Sequence, residues 1–466
     1  MTVQNQVVRN LLYWTTRNKW LLVAGLVCLI LLCLHPPAGL NVAGWRTIII
    51  AITALILIVS EPIPLPGIAF IIVVLQVYFG IAEANMVAKA FMNDAVFFIM
   101  GSLMLAVAIV KQGWDARIAL GIIKITGNKT HQIAFGFSVL SAVLSSFIGS
   151  HTVAAVMLPI GLTLIRYTSQ DQQKVKKLAS LILFSIAYGS LIGSIGTPSG
   201  GGRNAIILVY WKEYGLSSLS YWEWMKYAYP LVFLQLPFLS WILRKNFVPE
   251  YIQMDSSIRR LKVQVAKAGK ITGKQLLAAF IFMLILAGWI FYSEQYGLGM
   301  ISVTGVVLYL IVGIVKWEDF DRHVNWGVVI LFGAAISLGV QIKNTGAAAW
   351  IAENIIQISG SLIPRFPIIV DGINVLLTTI MANVLSSTAT VAVLAPITIN
   401  LPGNMIHSGM LTAIASAFGY LTAFAAPPCV IIYSSGLVRS KDFLKAGWKM
   451  GLISVVAVLI FSNLFW

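Results

Sequence analysis

The chain has 466 residues, 59% of them hydrophobic and only 10% charged, with a mean hydropathy of +0.88 and a formal net charge of +16. A soluble domain carries about 25% charged residues, so composition excludes a water-soluble protein of this length and predicts an all-α polytopic membrane protein. The basic excess lies in short segments between apolar runs, the charge bias of cytoplasmic loops and not of a nucleic-acid surface. Cys28, Cys33 and Cys429 stand apart in apolar surroundings and support neither a disulfide framework nor a zinc site.

The first stretch, up to Trp20, reads as a cytoplasmic amphipathic segment and not as a cleaved leader. Apolar runs long enough to span follow at about 20–36, 44–60, 64–81 and 95–112, with a tight turn from Glu61 to Gly67. After Gly113 comes a basic segment holding Arg117, Lys124 and Lys129. The next apolar run carries Ser141, Ser145, Ser146, Ser150, His151 and Thr152, then Pro159. Lipid offers such groups no partner, so they are expected to face protein, water or a ligand. A second basic segment follows, with Arg166, Lys174, Lys176 and Lys177. Two basic flanks predict a re-entrant hairpin over about 132–165, because a full span would put one of them outside.

A span starting near 178 is interrupted from Gly196 to Gly202 by Thr197, Pro198, Ser199 and three glycines. No helix continues through that run, which predicts a broken helix over about 178–211 with backbone groups free to meet an ion. A span near 223–243 closes the first repeat (1–243), and a basic cytoplasmic linker occupies 244–274. The second repeat, 275–466, shows the same plan. Spans lie near 275–292, 299–315 and 327–342, followed by a second re-entrant hairpin at about 366–400 that holds Ser386, Ser387, Thr388 and Pro396. A helix broken at Ala426, Pro427 and Pro428 covers about 410–437, and a last span lies near 447–466. Eleven crossings from a cytoplasmic N-terminus keep the basic segments inside and the C-terminus outside. Gly101 to Gly113 resembles Gly333 to Gly346, Ser150 matches Ser386, and Pro198 matches Pro427, all at offsets of about 230 residues. An odd number of crossings per copy inverts the second copy, and such repeats hold their ligand near the midplane.

These residues resemble the divalent anion:sodium symporter family of dicarboxylate, citrate and sulfate transporters. The likeness rests on Phe91-Met92-Asn93 with Gly101, on Gly113-Trp114-Asp115, on Trp326-Gly327 with Phe332-Gly333, and on the two tips and two proline-bearing breaks. It implies a homodimer with a scaffold and a transport domain that moves like an elevator. It also implies that each tip, with the break of its own repeat, holds one sodium ion, and that both tips touch the anion. Family members carry Ser-Asn-Thr at each tip. Here the second tip reads Ser386-Ser387-Thr388, and the first reads Ser150-His151-Thr152, or Gly149-Ser150-His151 when counted back from Pro159.

The expected substrate-binding residues are therefore Ser150, His151, Thr152, Ser199, Arg203, Ser386, Ser387, Thr388, Pro427 and Pro428. The expected sodium sites draw on Ser146, Ser150, His151, Gly196, Ser386, Ser387 and Ala426. His151 is either a structural residue or one that replaces a sodium function with a proton or a fixed positive charge. Arg203 either grips an anion with its planar fork or snorkels to the interface. Asp94 and Asp371 read as interfacial caps. Neither HExxH nor GxSxG nor a Walker loop occurs, which argues against an enzyme or an ATP-driven pump. The function expected is secondary active transport of a dicarboxylate, a tricarboxylate or sulfate across a plasma membrane, of the bacterial inner-membrane kind, coupled to sodium or protons. The alternatives are an exchanger without sodium coupling and an arsenite or sodium/proton antiporter-like protein.

Overall fold

Backbone amides in a bilayer must be paired within their own segment, and the apolar runs of this chain are helical. A computed structural model describes residues 19–60, 62–113, 127–169, 171, 175–217, 219–251, 259, 263, 271–359, 368–423 and 425–466. The N-terminal amphipathic segment, Arg117, Lys124, Lys174, most of the 244–274 linker and the start of the second hairpin before Ile368 lie outside the described residues.

The first repeat comprises α1 (Lys19–Cys33), α2 (Val42–Ser60), α3 (Leu65–Tyr78), α4 (Ala84–Phe91), α5 (Asp94–Lys111), α6 (Thr130–Ile148), α7 (Ser150–Thr168), α8 (Lys176–Gly193), α9 (Gly202–Glu213) and α10 (Tyr221–Asn246). The second comprises α11 (Gly273–Tyr296), α12 (Leu298–Ile311), α13 (Trp317–His323), α14 (Trp326–Asn344), α15 (Ala347–Ser359), α16 (Ile368–Ala382), α17 (Ser387–Thr398), α18 (Met405–Ala415), α19 (Pro427–Tyr433) and α20 (Ser440–Phe465). Six stretches among the described residues are long and apolar enough to cross a bilayer unaided: 84–111, 130–148, 176–193, 273–293, 326–344 and 440–465. The chain is thus a multi-pass membrane protein.

Helices lie along the apolar runs among the described residues, with three differences of physical interest. α3 and α12 have 14 residues each, about 21 Å of helix, which is short of a full hydrocarbon core. Each is followed by a short helix that the apolar pattern did not announce, α4 or α13. α20 begins at Ser440, well before the span expected from 447. Its first turns carry Lys441, Lys445 and Lys449, which read as a loop, but Lys445 donates to the Asn246 carbonyl (3.0 Å) and Lys449 to Asn246 Oδ1 (2.7 Å). Those two lysines satisfy the exposed end of α10.

The repeats interlock. α5 packs on α12 and α14 on α3, each across the repeat boundary. Of the two glycines that matched in sequence, Gly101 sits at the α5–α12 crossing and Gly333 where α14 meets the end of α4. A Cβ on Gly101 would lie 2.6 Å from Ser302 Oγ, and one on Gly333 2.5 Å from the Phe91 carbonyl. Each hairpin's first arm packs on the helix before its own break, α6 on α8 and α16 on α18. Each returning arm also meets the half-helix after the opposite break, α7 on α19 and α17 on α9. This crossed pairing brings all four special segments to one place.

Asp94 caps at a distance. Its Oδ1 accepts the Gly299 amide at 3.1 Å, at the start of α12, while Asn93 caps α5 itself. Asp371 pairs with His407 Nε2 at 3.1 Å, at the start of α18.

Candidate functional site

Gly149 is the whole of the first hairpin's turn. It ends α6 and opens α7 with φ 83° and ψ 145°, a left-handed φ that strains any residue with a Cβ. Ser386 holds the same place in the second hairpin: it is the N-cap of α17, and its Oγ accepts the Ala389 amide at 3.3 Å. Pro159 follows Gly149 by ten residues, as Pro396 follows Ser386. The caps therefore pair Gly149-Ser150-His151 with Ser386-Ser387-Thr388, the register obtained by counting back from the proline.

Both tips and both breaks line one cavity of about 450 Å³. Gly149, Ser150 and His151 come from the first tip, and Ser386, Ser387 and Thr388 from the second. The first break contributes Pro198 through Arg203, and the second Pro427. Phe98, Ser102, Asn325 and Phe332 close the wall opposite. Of the expected substrate residues, Thr152 and Pro428 are not among the described lining residues. Thr152 lies one step beyond the tip in the register the caps define, and Pro428 is buried one residue past the wall.

Four helices, α7, α9, α17 and α19, begin at this cavity, and α19 opens on two prolines that have no amide hydrogen to offer. α7 and α9 have no side-chain cap, so their first amides are free to bind negative charge. Arg203 is the second residue of α9 and is 3% exposed, so it does not snorkel. Its Nη2 donates to Ser194 Oγ at 2.6 Å, and its Nε has no partner. No carboxylate occurs among the described lining residues. A buried, unneutralised guanidinium beside free helix N-termini is a site for an anion. His151 lines the same space and makes no hydrogen bond to a described residue. Its ring lies 3.4 Å from where a Cβ on Gly149 would stand.

Behind each tip the chain is tied to the break of its own repeat. Ser146 Oγ donates to the Gly193 carbonyl at 2.8 Å, and Thr197 Oγ1 donates back to the Ser146 carbonyl. In the second repeat Asn383 Nδ2 donates to the Phe418 carbonyl at 3.1 Å and Asn383 Oδ1 accepts the Leu421 amide at 2.8 Å. Thr422 Oγ1 reaches the Asn383 carbonyl at 3.5 Å. Ser146 and Asn383 each stand three residues before their tip.

Of the residues expected to hold sodium, Ser146 and Gly196 do meet. A Cβ on Gly196 would lie 3.0 Å from Ser146 Oγ. The Ala426 carbonyl is already used, accepting the Cys429 amide at 2.9 Å and the Val430 amide at 3.2 Å. Ser146, Gly196 and Ala426 are not among the described cavity residues.

Sequence reading passed over Ser194, Asn204, Tyr221 and Asn383. Asn204 clamps the first break, with Nδ2 donating to the Ser194 and Thr197 carbonyls at 2.9 and 2.7 Å. Tyr221 Oη bonds Ser199 Oγ at 2.6 Å and so occupies that hydroxyl. Counting from the prolines would have exposed Asn383 as the partner of Ser146. Nothing in the sequence signals Tyr221.

Two repeated helical hairpins and two broken helices, closing on an acid-free cavity within an apolar bundle, define a membrane transport protein. Residues 16–466 match the model of the sodium:sulfate symporter transmembrane region, and the chain belongs to that family, whose members are transporters and not enzymes. It is 26% identical to the sodium-dependent high-affinity dicarboxylate transporter 3 of Caenorhabditis elegans, over 87% of this chain and 80% of that one. It is 25% identical to the sodium-dependent dicarboxylate transporter SdcS of Staphylococcus saprophyticus, over 94% and 89%. Among solved structures the Alcanivorax borkumensis YdaH transporter superposes with a TM-score of 0.57 at 13% identity, covering 84% of this chain and 89% of that one. The Neisseria gonorrhoeae MtrF efflux pump gives 0.57 at 12%, covering 92% and 96%. Both share the fold.

Proposed function

We propose that this protein is a secondary active transporter of small dicarboxylate anions, driven by sodium. The observation that carries the reading is the unpaired Arg203 guanidinium, buried beside the N-termini of α7, α9 and α17 in a cavity without a described carboxylate. A dianion neutralises the guanidinium and accepts from the free amides of α7 and α9, while Ser150, Ser387 and Thr388 supply hydroxyls. The names of the relatives support the substrate class and the coupling ion.

Sodium would find neutral oxygens behind the tips, where Ser146, Gly196 and Thr197 cluster in the first repeat. In the register the caps define, His151 stands at the third position of the tip, where the family motif Ser-Asn-Thr has its threonine, and in this reading it lends a fixed or titratable positive charge to the anion in place of part of the sodium function. The hairpins and breaks pack on one another across the repeats, while α3, α5, α12 and α14 form a second interlocked group. This division supports an elevator movement of the first body against the second. A homodimeric scaffold is part of the same proposal, and cross-linking in native membranes that traps no dimer removes it.

Proteoliposome uptake of labelled succinate, citrate and sulfate, with sodium and pH gradients imposed separately, tests the whole. Saturable succinate uptake that follows an inward sodium gradient is expected. Succinate counterflow indifferent to sodium identifies an exchanger, and uptake of sulfate alone overturns the substrate assignment.

A further inference from the structure

A second cavity of about 410 Å³ lies away from the central one, between α6, the first arm of hairpin one, and α10. His131 and Gln132 line it from α6, and Ser240 and Arg244 from α10. Its lower wall is apolar, made by Phe135, Pro237 and Trp241. It sits at the basic end of the bundle. The start of α6 is held there by Thr130 Oγ1, which donates to the Tyr251 carbonyl at 2.6 Å, and the end of α10 by Lys445 and Lys449. Lys129 and Lys245 flank the mouth, and Lys245 Nζ lies 4.3 Å over the Trp241 ring, which steadies that wall.

Three features specify the occupant. First, the head of the groove carries the charge of Arg244 with the His131 imidazole beside it: neither has a hydrogen bond or ion pair with any described residue, and no described carboxylate lines the groove. Second, the body is apolar and open to the outside, since its Phe135 and Trp241 are exposed large hydrophobics. Third, cationic head and apolar body are stacked along the helix axes, the head nearest the helix ends. A free anion would leave the aromatic wall bare, and an uncharged lipid would leave Arg244 and His131 unanswered. We propose that this groove binds an anionic phospholipid, with its phosphate between Arg244 and His131 and an acyl chain along Phe135, Pro237 and Trp241. Because α6 is an arm of the first hairpin, the lipid wedges that arm against α10.

Native mass spectrometry of the full chain in detergent, titrated with dioleoyl phosphatidylglycerol or dioleoyl phosphatidylcholine, reads binding directly. Wild type should hold one phosphatidylglycerol more tightly than phosphatidylcholine, and the double variant H131Q/R244Q should bind phosphatidylglycerol about tenfold more weakly. Neither side chain bonds a described residue, so the variant should fold. The control K89Q/K226Q, which removes at least as much positive charge elsewhere on the protein, should bind as wild type does. Unchanged binding by H131Q/R244Q, or equal loss in the control, overturns the site. Displacement of the lipid by excess inorganic phosphate would also overturn it, assigning the groove to a soluble anion.

Discussion

Arg203 Nη2 donates to Ser194 Oγ at 2.6 Å, and that hydroxyl is the guanidinium's one hydrogen-bond partner among the described residues. A buried charge so thinly supported costs stability in the empty protein and is repaid when an anion arrives. Arg203→Met should therefore abolish dicarboxylate uptake while leaving the melting temperature unchanged or raised. Arg203→Lys keeps the charge but loses the planar fork, and should raise KM about tenfold or more for a dianion. An unchanged KM in the lysine variant removes Arg203 from the binding site.

His151 faces the same cavity and makes no hydrogen bond to a described residue. An imidazole gains a proton as pH falls, so binding of a dianion should tighten on acidification. His151→Asn should flatten that dependence and strengthen the sodium dependence. Uptake curves of the variant that overlay those of wild type against both pH and sodium would sink the role given to it.

Gly149 adopts φ 83° at the tip. Gly149→Ala should cost about 1–2 kcal/mol of stability from backbone strain alone, read as a fall in melting temperature of the purified protein. The added methyl also meets the His151 ring, so uptake should fall further than the stability loss explains.

Gly339 on α14 faces Tyr210 on α9, whose Oη donates to the Ala392 carbonyl of α17 at 3.1 Å. A Cβ on Gly339 would stand 1.7 Å from that oxygen. Gly339→Ala should cost about 1–3 kcal/mol through overpacking and slow transport by prising α9 and the second hairpin from α14. Gly372→Ala, where nothing lies within 4 Å, is the matched control and should change neither.

Asp319 lies on α13, between spans, where the Lys111 ammonium hydrogen-bonds its carboxylate and the Lys316 amide adds a second bond. These hold its pKa below the ordinary carboxylate value. A depressed carboxylate stabilises the fold above its unfolded pKa and loses that contribution as pH falls through the folded one. The melting-temperature difference between wild type and Asp319→Asn should be small at pH 7, because the pair is exposed, and should vanish on acidification below about pH 4.

Much of this architecture was legible before any coordinates. Ser150, His151, Ser386 and Pro198 betray themselves because polar side chains and helix breakers are intolerable in lipid unless something answers them. That constraint acts on each residue locally, so the apolar runs, both hairpins, both breaks and their common offset could be read from the chain alone. The tertiary structure decided what no local pattern encodes. The caps at Gly149 and Ser386 set the register of the tips, and with it placed Thr152 outside the described lining of the cavity. The crossed pairing of α7 with α19 and α17 with α9 joined two distant stretches into one cavity, and burial against Ser194 turned Arg203 inward. Those outcomes depend on which surfaces meet across more than 200 residues, and packing at that separation leaves no periodicity in the sequence.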